Sequence, residues 1–287
     1  MDIAVIGSGR VGTAMAVLLS RAGHRIVAVS GRGTSAERVA RHLPGVQMLP
    51  ASDAAGRAEV VLVGTPDDRI AGVVSDLAAQ GAFDAGQAVV HLSGATGLEA
   101  LAAAAAAGAR PMSLHPLQSL PSVEAAIERL PGSGMAVTAA DEHGYALGER
   151  LARDAGARPF RLPDQARPLY HAAAVFASNY LVTVVAVAER LFREAGVEDP
   201  APLYLPLVRA TLDNVEAMGA ERALTGPAVR GDAGTIGRNL EALSASAPDA
   251  IPAYVALAAV ALDLAEHAGR LPPDGRRRVE EVLDRWR

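Results

Sequence analysis

The chain has 287 residues, a formal net charge of −5, 27 basic side chains and no cysteine. That length suits two domains of roughly 100 to 150 residues, the acidic balance leaves no footprint for nucleic acid, and the lack of thiols excludes disulfides, thiolate catalysis and sulfur-ligated metals. Every basic side chain is arginine, so neither a Schiff base nor a catalytic ammonium is available.

The N-terminus opens on Asp2 and a glycine-dense loop, where a secretory signal would need a basic segment and an apolar run. No signal peptide is expected, and a cytoplasmic location is compatible. Residues 2–6, 25–30, 60–63, 88–92, 110–114 and 134–138 read as strands, and 11–21, 35–42, 67–80 and 97–107 read as helices. This βαβ rhythm predicts an α/β, doubly wound, mostly parallel sheet over residues 1–163.

Beyond 161 the strand signals stop, and 162–168 carries two prolines and mixed charge, as a linker would. An all-α domain is expected over 164–287, with helices at 168–195, 201–218, 235–246, 251–268 and 273–286. The uncharged stretch 172–188 falls short of the roughly 20 apolar residues of a membrane span. Ser178, Asn179 and Thr183 also interrupt it, so a buried helix is expected and no membrane contact. Its first helix is apolar nearly all round, more than so small a domain can cover, which points to a homodimer formed through the helical domain.

The pattern Gly7-Ser8-Gly9-Arg10-Val11-Gly12 lies between the first strand and the first helix. The first glycine allows the tight turn, the second a close approach of backbone to a pyrophosphate, and the third the packing of helix on strand. The helix N-terminus then faces the phosphates, as in a dinucleotide-binding Rossmann unit. The second strand ends at Ser30 with no acid to take the ribose 2′-hydroxyl of NAD, while Arg32 follows and can grip a 2′-phosphate. The cofactor expected is NADP(H); a solvated loop arginine is the plainer alternative. After the next strand, Thr65 is expected to cap a helix that starts at Pro66, placing Thr65, Pro66 and Asp68 along the nicotinamide half of the cofactor.

The following strands end near Ser93-Gly94 and His115, on the same sheet edge. Ser93 and Gly94 could offer a hydroxyl and a backbone donor to a substrate oxygen, and His115 a proton. A helix cap and a packed core histidine are equally open readings. In the long helix, His171, Val175, Ser178 and Asn179 follow α-helical spacing along one face. That face binds a substrate or forms an interhelical hydrogen-bond set. Farther on, Asp232 is a candidate cap, and Arg230 could hold a substrate carboxylate or stand exposed.

Together with Gly64-Thr65-Pro66-Asp67, His91-Leu92-Ser93-Gly94-Ala95, His115-Pro116-Leu117-Gln118-Ser119, Tyr170-His171-Ala172-Ala173, Ser178-Asn179-Tyr180 and the run 224–232, the glycine loop resembles one family. It is the Rossmann-like oxidoreductases with a C-terminal domain of unknown function 2520, in the 6-phosphogluconate-dehydrogenase-like superfamily. The resemblance implies an N-terminal NADP-binding domain, a C-terminal helical domain that dimerises, an active site in the cleft between them and a small anionic substrate. Ketopantoate, pyrroline-5-carboxylate and prephenate enzymes are relatives in that superfamily. Several members use a lysine with an asparagine on the first helix of the second domain; here His171 stands in that region with Asn179 two turns on. The expected reaction is hydride transfer from NADPH, with Ser93 and Asn179 orienting the acceptor, His171 or His115 supplying the proton, and Ser178, Gly94 and Arg230 binding substrate. A 2-oxo acid of the ketopantoate type is the first substrate expected, and a cyclic imine is an alternative. An NADP-binding sensor without catalysis is the reading from another class.

Overall fold

The computed structural model describes residues 1–287. The chain divides into two compact units, Met1–Asn179 and Tyr180–Arg287. The boundary expected at 163/164 lies one helix earlier than this division.

The first unit is built on seven strands: β1 (Asp2–Ile6), β2 (Arg25–Ser30), β3 (Val60–Val63), β4 (Ala88–His91), β5 (Arg110–Leu117), β6 (Gly134–Ala139) and β7 (Arg158–Arg161). Their spatial order is β2-β1-β3-β4-β5-β6-β7. All pairings are parallel except β5 with β6. Helices α1 (Arg10–Arg21), α2 (Ser35–His42), α3 (Ala51–Ala55), α4 (Asp67–Ala79), α5 (Ala102–Ala106), α6 (Val123–Arg129) and α7 (Glu142–Asp154) connect them.

Strands covered on both faces carry apolar residues at every position. Ile3 and Val5 join one buried cluster with Leu62 and Val90, while Ala4 and Ile6 join another with Val61 and Val89. Successive side chains therefore feed opposite layers, and the central strands β1, β3 and β4 are buried almost throughout.

Two strands differ from the sequence expectation. β5 runs to Leu117, three residues past the expected end, because β6 pairs with it through His115–Ala136, Pro116–Met135 and Leu117–Gly134. β4 pairs with β5 only as far as Ser113. Beyond that point β5 has a neighbour on one side alone, and there Pro116 costs no ladder bond. β7, the sequence Arg-Pro-Phe-Arg, has no apolar run to announce it and lies at the sheet edge.

The helix expected at 168–195 forms as α8 (Arg167–Val175), a π-helical turn (Phe176–Tyr180) and α9 (Leu181–Glu194). It is not the buried helix expected. The helical run 164–194 is long and apolar enough to cross a membrane by length and composition, as is 248–267, and none of the first one's apolar window is buried within the chain. The π turn also interrupts the 3.6-residue spacing, so the alignment of His171 with Ser178 and Asn179 read from a straight α-helix does not carry through.

The second unit continues with α10 (Ala201–Met218), α11 (Ala220–Ala223), α12 (Ala233–Ser246), α13 (Ile251–His267) and α14 (Gly275–Leu283). As expected, Asp232 caps α12, accepting from the Thr235 amide at 3.0 Å. Ile236, Leu240, Leu262, Val279 and Leu283 form this unit's own core, against which Trp286 packs. Leu240→Ala leaves a cavity there and is expected to remove about 2–5 kcal/mol of stability. Urea unfolding of the full chain, followed by the fluorescence of Trp286, would read this as a lower midpoint.

Candidate functional site

The turn after β1 and the turn after β3 meet through glycines. Gly7 has φ +94°, and a Cβ there would lie 2.7 Å from the Thr65 amide nitrogen. A Cβ on Gly12 would lie 2.7 Å from the Gly7 carbonyl oxygen, and one on Gly64 would lie 2.6 Å from the same atom. These three positions are closed to any side chain by the protein itself. Gly9 is different, since its nearest neighbour would be 3.5 Å away. It sits at the N-cap of α1 without a side-chain cap, so the first-turn N–H groups of that helix have no capping side chain to accept from them. Room at Gly9 and open amides at a helix N-terminus are what a pyrophosphate needs.

Two buried hydroxyls adjoin this loop without a partner in the protein, Ser8 Oγ and Thr65 Oγ1. A buried hydroxyl left unpaired costs free energy, and a bound ligand with polar atoms removes that cost. The helix cap expected of Thr65 is not formed: Pro66 occupies the N-cap position, no side chain caps α4, and Asp67 is its first residue. Pro66 and Asp68 are exposed on this first turn. Arg32 is also exposed, and its carbonyl accepts from Ser35 Oγ at 2.8 Å. The loop, the open amides and the two hydroxyls fit a dinucleotide.

Asp67 links this region to the next. Its Oδ2 accepts from Ser93 Oγ at 2.6 Å, and Ser93 Oγ in turn accepts from the Thr96 amide at 3.0 Å. The Ser93 hydroxyl is thus engaged inside the protein, where it braces the turn 93–96. Beside it, a Cβ on Gly94 would lie 2.7 Å from both His115 Nε2 and His171 Nδ1. The two imidazoles therefore face one point above Gly94, with ring centroids 6.2 Å apart. His115 Nδ1 is bonded to the Tyr170 hydroxyl at 2.8 Å, while His171 Nδ1 is buried with no partner.

Beneath these groups lies Arg167, wholly buried. Its Nε donates to the Thr96 carbonyl at 2.6 Å, Nη1 to Thr138 Oγ1 at 2.8 Å, and Nη2 to the Ser93 carbonyl. Burial, and then the Arg167 charge, push the His115 imidazole down to about 4 and that of His91 to about 3. Burial raises the Tyr170 hydroxyl to about 12 against the pull of Arg167. Near neutral pH the His115–Tyr170 pair is uncharged and hydrogen-bonded, beside a fixed positive charge.

The structure thus brings together Ser93, Gly94, His115 and His171, and adds Asp67, Thr96, Arg167 and Tyr170, which the sequence reading did not select. Tyr170 stood inside the quoted motif beside His171, but Arg167 lay in what reads as a linker. Ser178 is half-buried and Asn179 exposed, both in the π turn. Arg230 belongs to the second unit and is exposed.

The doubly wound sheet with its glycine loop defines a Rossmann-like protein, and residues 1–116 match the Rossmann-like domain. Residues 133–261 match the domain of unknown function DUF2520, so the two matches follow one another along the chain. No curated protein matches it by sequence. Among solved structures it is similar to a Bacteroides fragilis protein described as a candidate NADP oxidoreductase, at 23% identity over 91% of this chain and 98% of that one, with a TM-score of 0.72. A Thermotoga maritima protein is similar at 24% identity over 93% and 100%, with a TM-score of 0.71. An Aspergillus terreus imine reductase is similar at 21% identity over 75% and 73%, with a TM-score of 0.58.

The depressed histidines give stability a definite pH dependence. In the unfolded chain both take a proton near the ordinary 6.5, and in the fold only near 4 and 3. Between pH 6.5 and about 4 the unfolded state binds more protons, so stability falls as pH drops through that window. Urea titrations should show His115→Asn with a shallower loss than the wild type over this range; an unchanged slope would contradict the assignment.

Proposed function

We propose that the protein is an NADP(H)-dependent oxidoreductase acting on a small anionic metabolite, with a 2-oxo acid of the ketopantoate type as the first substrate to test. One observation carries the reading. A continuous run of contacts leads along the carboxyl edge of the sheet, from Gly7 to Gly64–Thr65, through Asp67 to Ser93, and on to Gly94 with His115 and His171. A dinucleotide held at the glycine loop extends along this edge, and its reactive end reaches the histidines.

NADPH, when bound, supplies the hydride. Gly7, Ser8, Gly9, Arg10, Val11, Gly12 and Thr65 hold its phosphates and the linking sugars, Pro66 and Asp68 flank its nicotinamide half, and Ser30 and Arg32 receive its adenosine ribose. Ser93 keeps the 93–96 turn in place so that Gly94 leaves room for the acceptor. His171 Nδ1, which has no partner, and His115 Nε2 face that space; one of the two, His171 or His115, is the proton donor to the acceptor oxygen, and the other, His115 while it is neutral, serves as a hydrogen-bond partner. Ser178 and Asn179, on the π turn that follows α8, orient the acceptor.

Purified protein with NADPH and a panel of 2-oxo acids and cyclic imines should oxidise the cofactor with one class. The imines belong in the panel because an imine reductase shares the fold. Tight NADPH binding without turnover across the panel would assign the chain to the sensor reading. With an active substrate, His171→Ala and His115→Ala should each lower kcat about 10²–10⁴-fold if they transfer the proton. Arg32→Ala should weaken NADPH while sparing NADH.

A homodimer through the helical region belongs to the same reading. Val182 is 68% exposed, Leu203 69% and Leu207 65%, a larger apolar face than a lone soluble chain ordinarily carries. Arg209, Asp213 and Glu216 are exposed on α10 beside it, which favours a protein partner over lipid. Sedimentation should give a dimer that Leu203→Glu with Val182→Glu converts to monomer; a monomeric wild type would end this reading.

A further inference from the structure

Arg167, Tyr170 and His171 stand at i, i+3 and i+4 on α8, ahead of the π turn, and so leave one face of that helix. Tyr170 packs edge-on against His115, with ring centroids 5.5 Å apart, and against Phe160 of β7 at 5.9 Å. Its hydroxyl meets His115 Nδ1 at 2.8 Å. The direction of that bond decides what His115 presents to the space above Gly94. A phenol is a stronger acid than the N–H of a neutral imidazole, and an imidazole nitrogen is a stronger base than a phenol oxygen. The pair is therefore made with Tyr170 donating and Nδ1 accepting, which leaves the one ring proton on Nε2. Nε2 is the atom that would lie 2.7 Å from a Cβ on Gly94.

We propose that Tyr170 is a positioning residue that holds the His115 proton on Nε2, and that the site thereby takes a carbonyl oxygen as the atom bound above Gly94. The inference rests on the oxidoreductase reading above and narrows its substrate class. His171 Nδ1, buried and without a partner, is directed at the same point. With a proton on each nitrogen the two histidines form a two-donor set. A carbonyl oxygen has two lone pairs to meet it, a neutral imine nitrogen has one, and an iminium has none.

The fixed charge nearby favours the same class. Arg167 donates to the Ser93 carbonyl, one residue from Gly94, and has no carboxylate in hydrogen-bond contact. Its charge opposes an iminium and favours the negative charge that collects on a carbonyl oxygen during reduction. Asp67 acts in the other direction, and its Oδ2 is engaged by Ser93 Oγ at 2.6 Å. A neutral His115 that released its proton would be left as an anion, so it orients the oxygen. The proton comes from His171, passing from Nδ1 to the oxygen while the N–H bonding pair stays on the ring.

Imidazole nitrogen-15 spectra of the full chain near neutral pH test the bond in the free protein, with His115 assigned by the signals lost in His115→Asn. Nε2 should be protonated, and Nδ1 unprotonated and hydrogen-bonded. Tyr170→Phe keeps both ring contacts and removes only the hydroxyl, so the Nδ1 signal should move toward that of an unbonded imidazole nitrogen. A wild-type proton on Nδ1, or an Nδ1 signal that Tyr170→Phe leaves in place, overturns the proposal; the wild-type spectrum decides the first point whatever the stability of the variant. With NADPH and a panel of 2-oxo acids and cyclic imines, the wild type should turn over a 2-oxo acid. Tyr170→Phe should lower kcat roughly two- to tenfold, the worth of a neutral hydrogen bond, with NADPH binding by calorimetry changed less than about twofold. Turnover of cyclic imines alone, or an unchanged kcat, also overturns the proposal. No turnover with either class overturns the oxidoreductase reading itself, and the free-protein spectra separate that result from a failure of the Tyr170 bond.

Discussion

A guanidinium buried without a carboxylate in hydrogen-bond contact would ordinarily be among the costlier things a fold can hold. Arg167 is such a group, and the protein compensates with backbone and hydroxyl oxygens. The carbonyls of Ser93 and Thr96 and the hydroxyl of Thr138 take its donors. These acceptors come from the turn after β4 and from β6, so one side chain at the start of α8 ties a helix to two places on the sheet. The charge is not cancelled by the contacts that hold it. It acts instead on its titratable neighbours, adding to burial in keeping His115 and His91 neutral and opposing burial at Tyr170.

The glycine crossing constrains the other end of the same edge. Gly7, Gly12 and Gly64 leave no room for a Cβ because the turns after β1 and β3 lie in van der Waals contact. That contact brings Thr65 and Asp67 to fixed places, and Asp67 hands the position on to Ser93. A rigid line of short turns is a better scaffold for placing two reacting groups than a set of independent loops, since each turn is held by the next.

Much of this was legible in the sequence because it is local. The glycine triplet, the alternation of short strands with helices, the polar strand ends at Ser93 and His115, and the cap at Asp232 each announce themselves within a few residues. What was not legible depends on long-range partners. Arg167 reaches a carbonyl 74 residues away, and its neighbourhood of prolines and mixed charge reads as a linker. The extra length of β5 comes from β6, and β7 is a strand only because β6 offers it an edge. Thr65 misled through a local rule that holds in general: a threonine before Pro-Asp reads as a cap, yet its hydroxyl stays unpartnered beside Gly7.

The π turn marks where helical pattern reading stops being sufficient. Spacing on a straight α-helix puts His171, Ser178 and Asn179 on one face, but the turn 176–180 inserts a different pitch between the first and the other two. A wider turn of this kind weakens the local hydrogen-bond ladder and survives where something offsets its cost. Here His171, whose Nδ1 is buried beside Gly94, precedes the turn, and Ser178 and Asn179 lie within it. The arrangement of His171 and His115 is consequently owed to the sheet edge and Arg167, and not to the periodicity of the helix on which His171 stands.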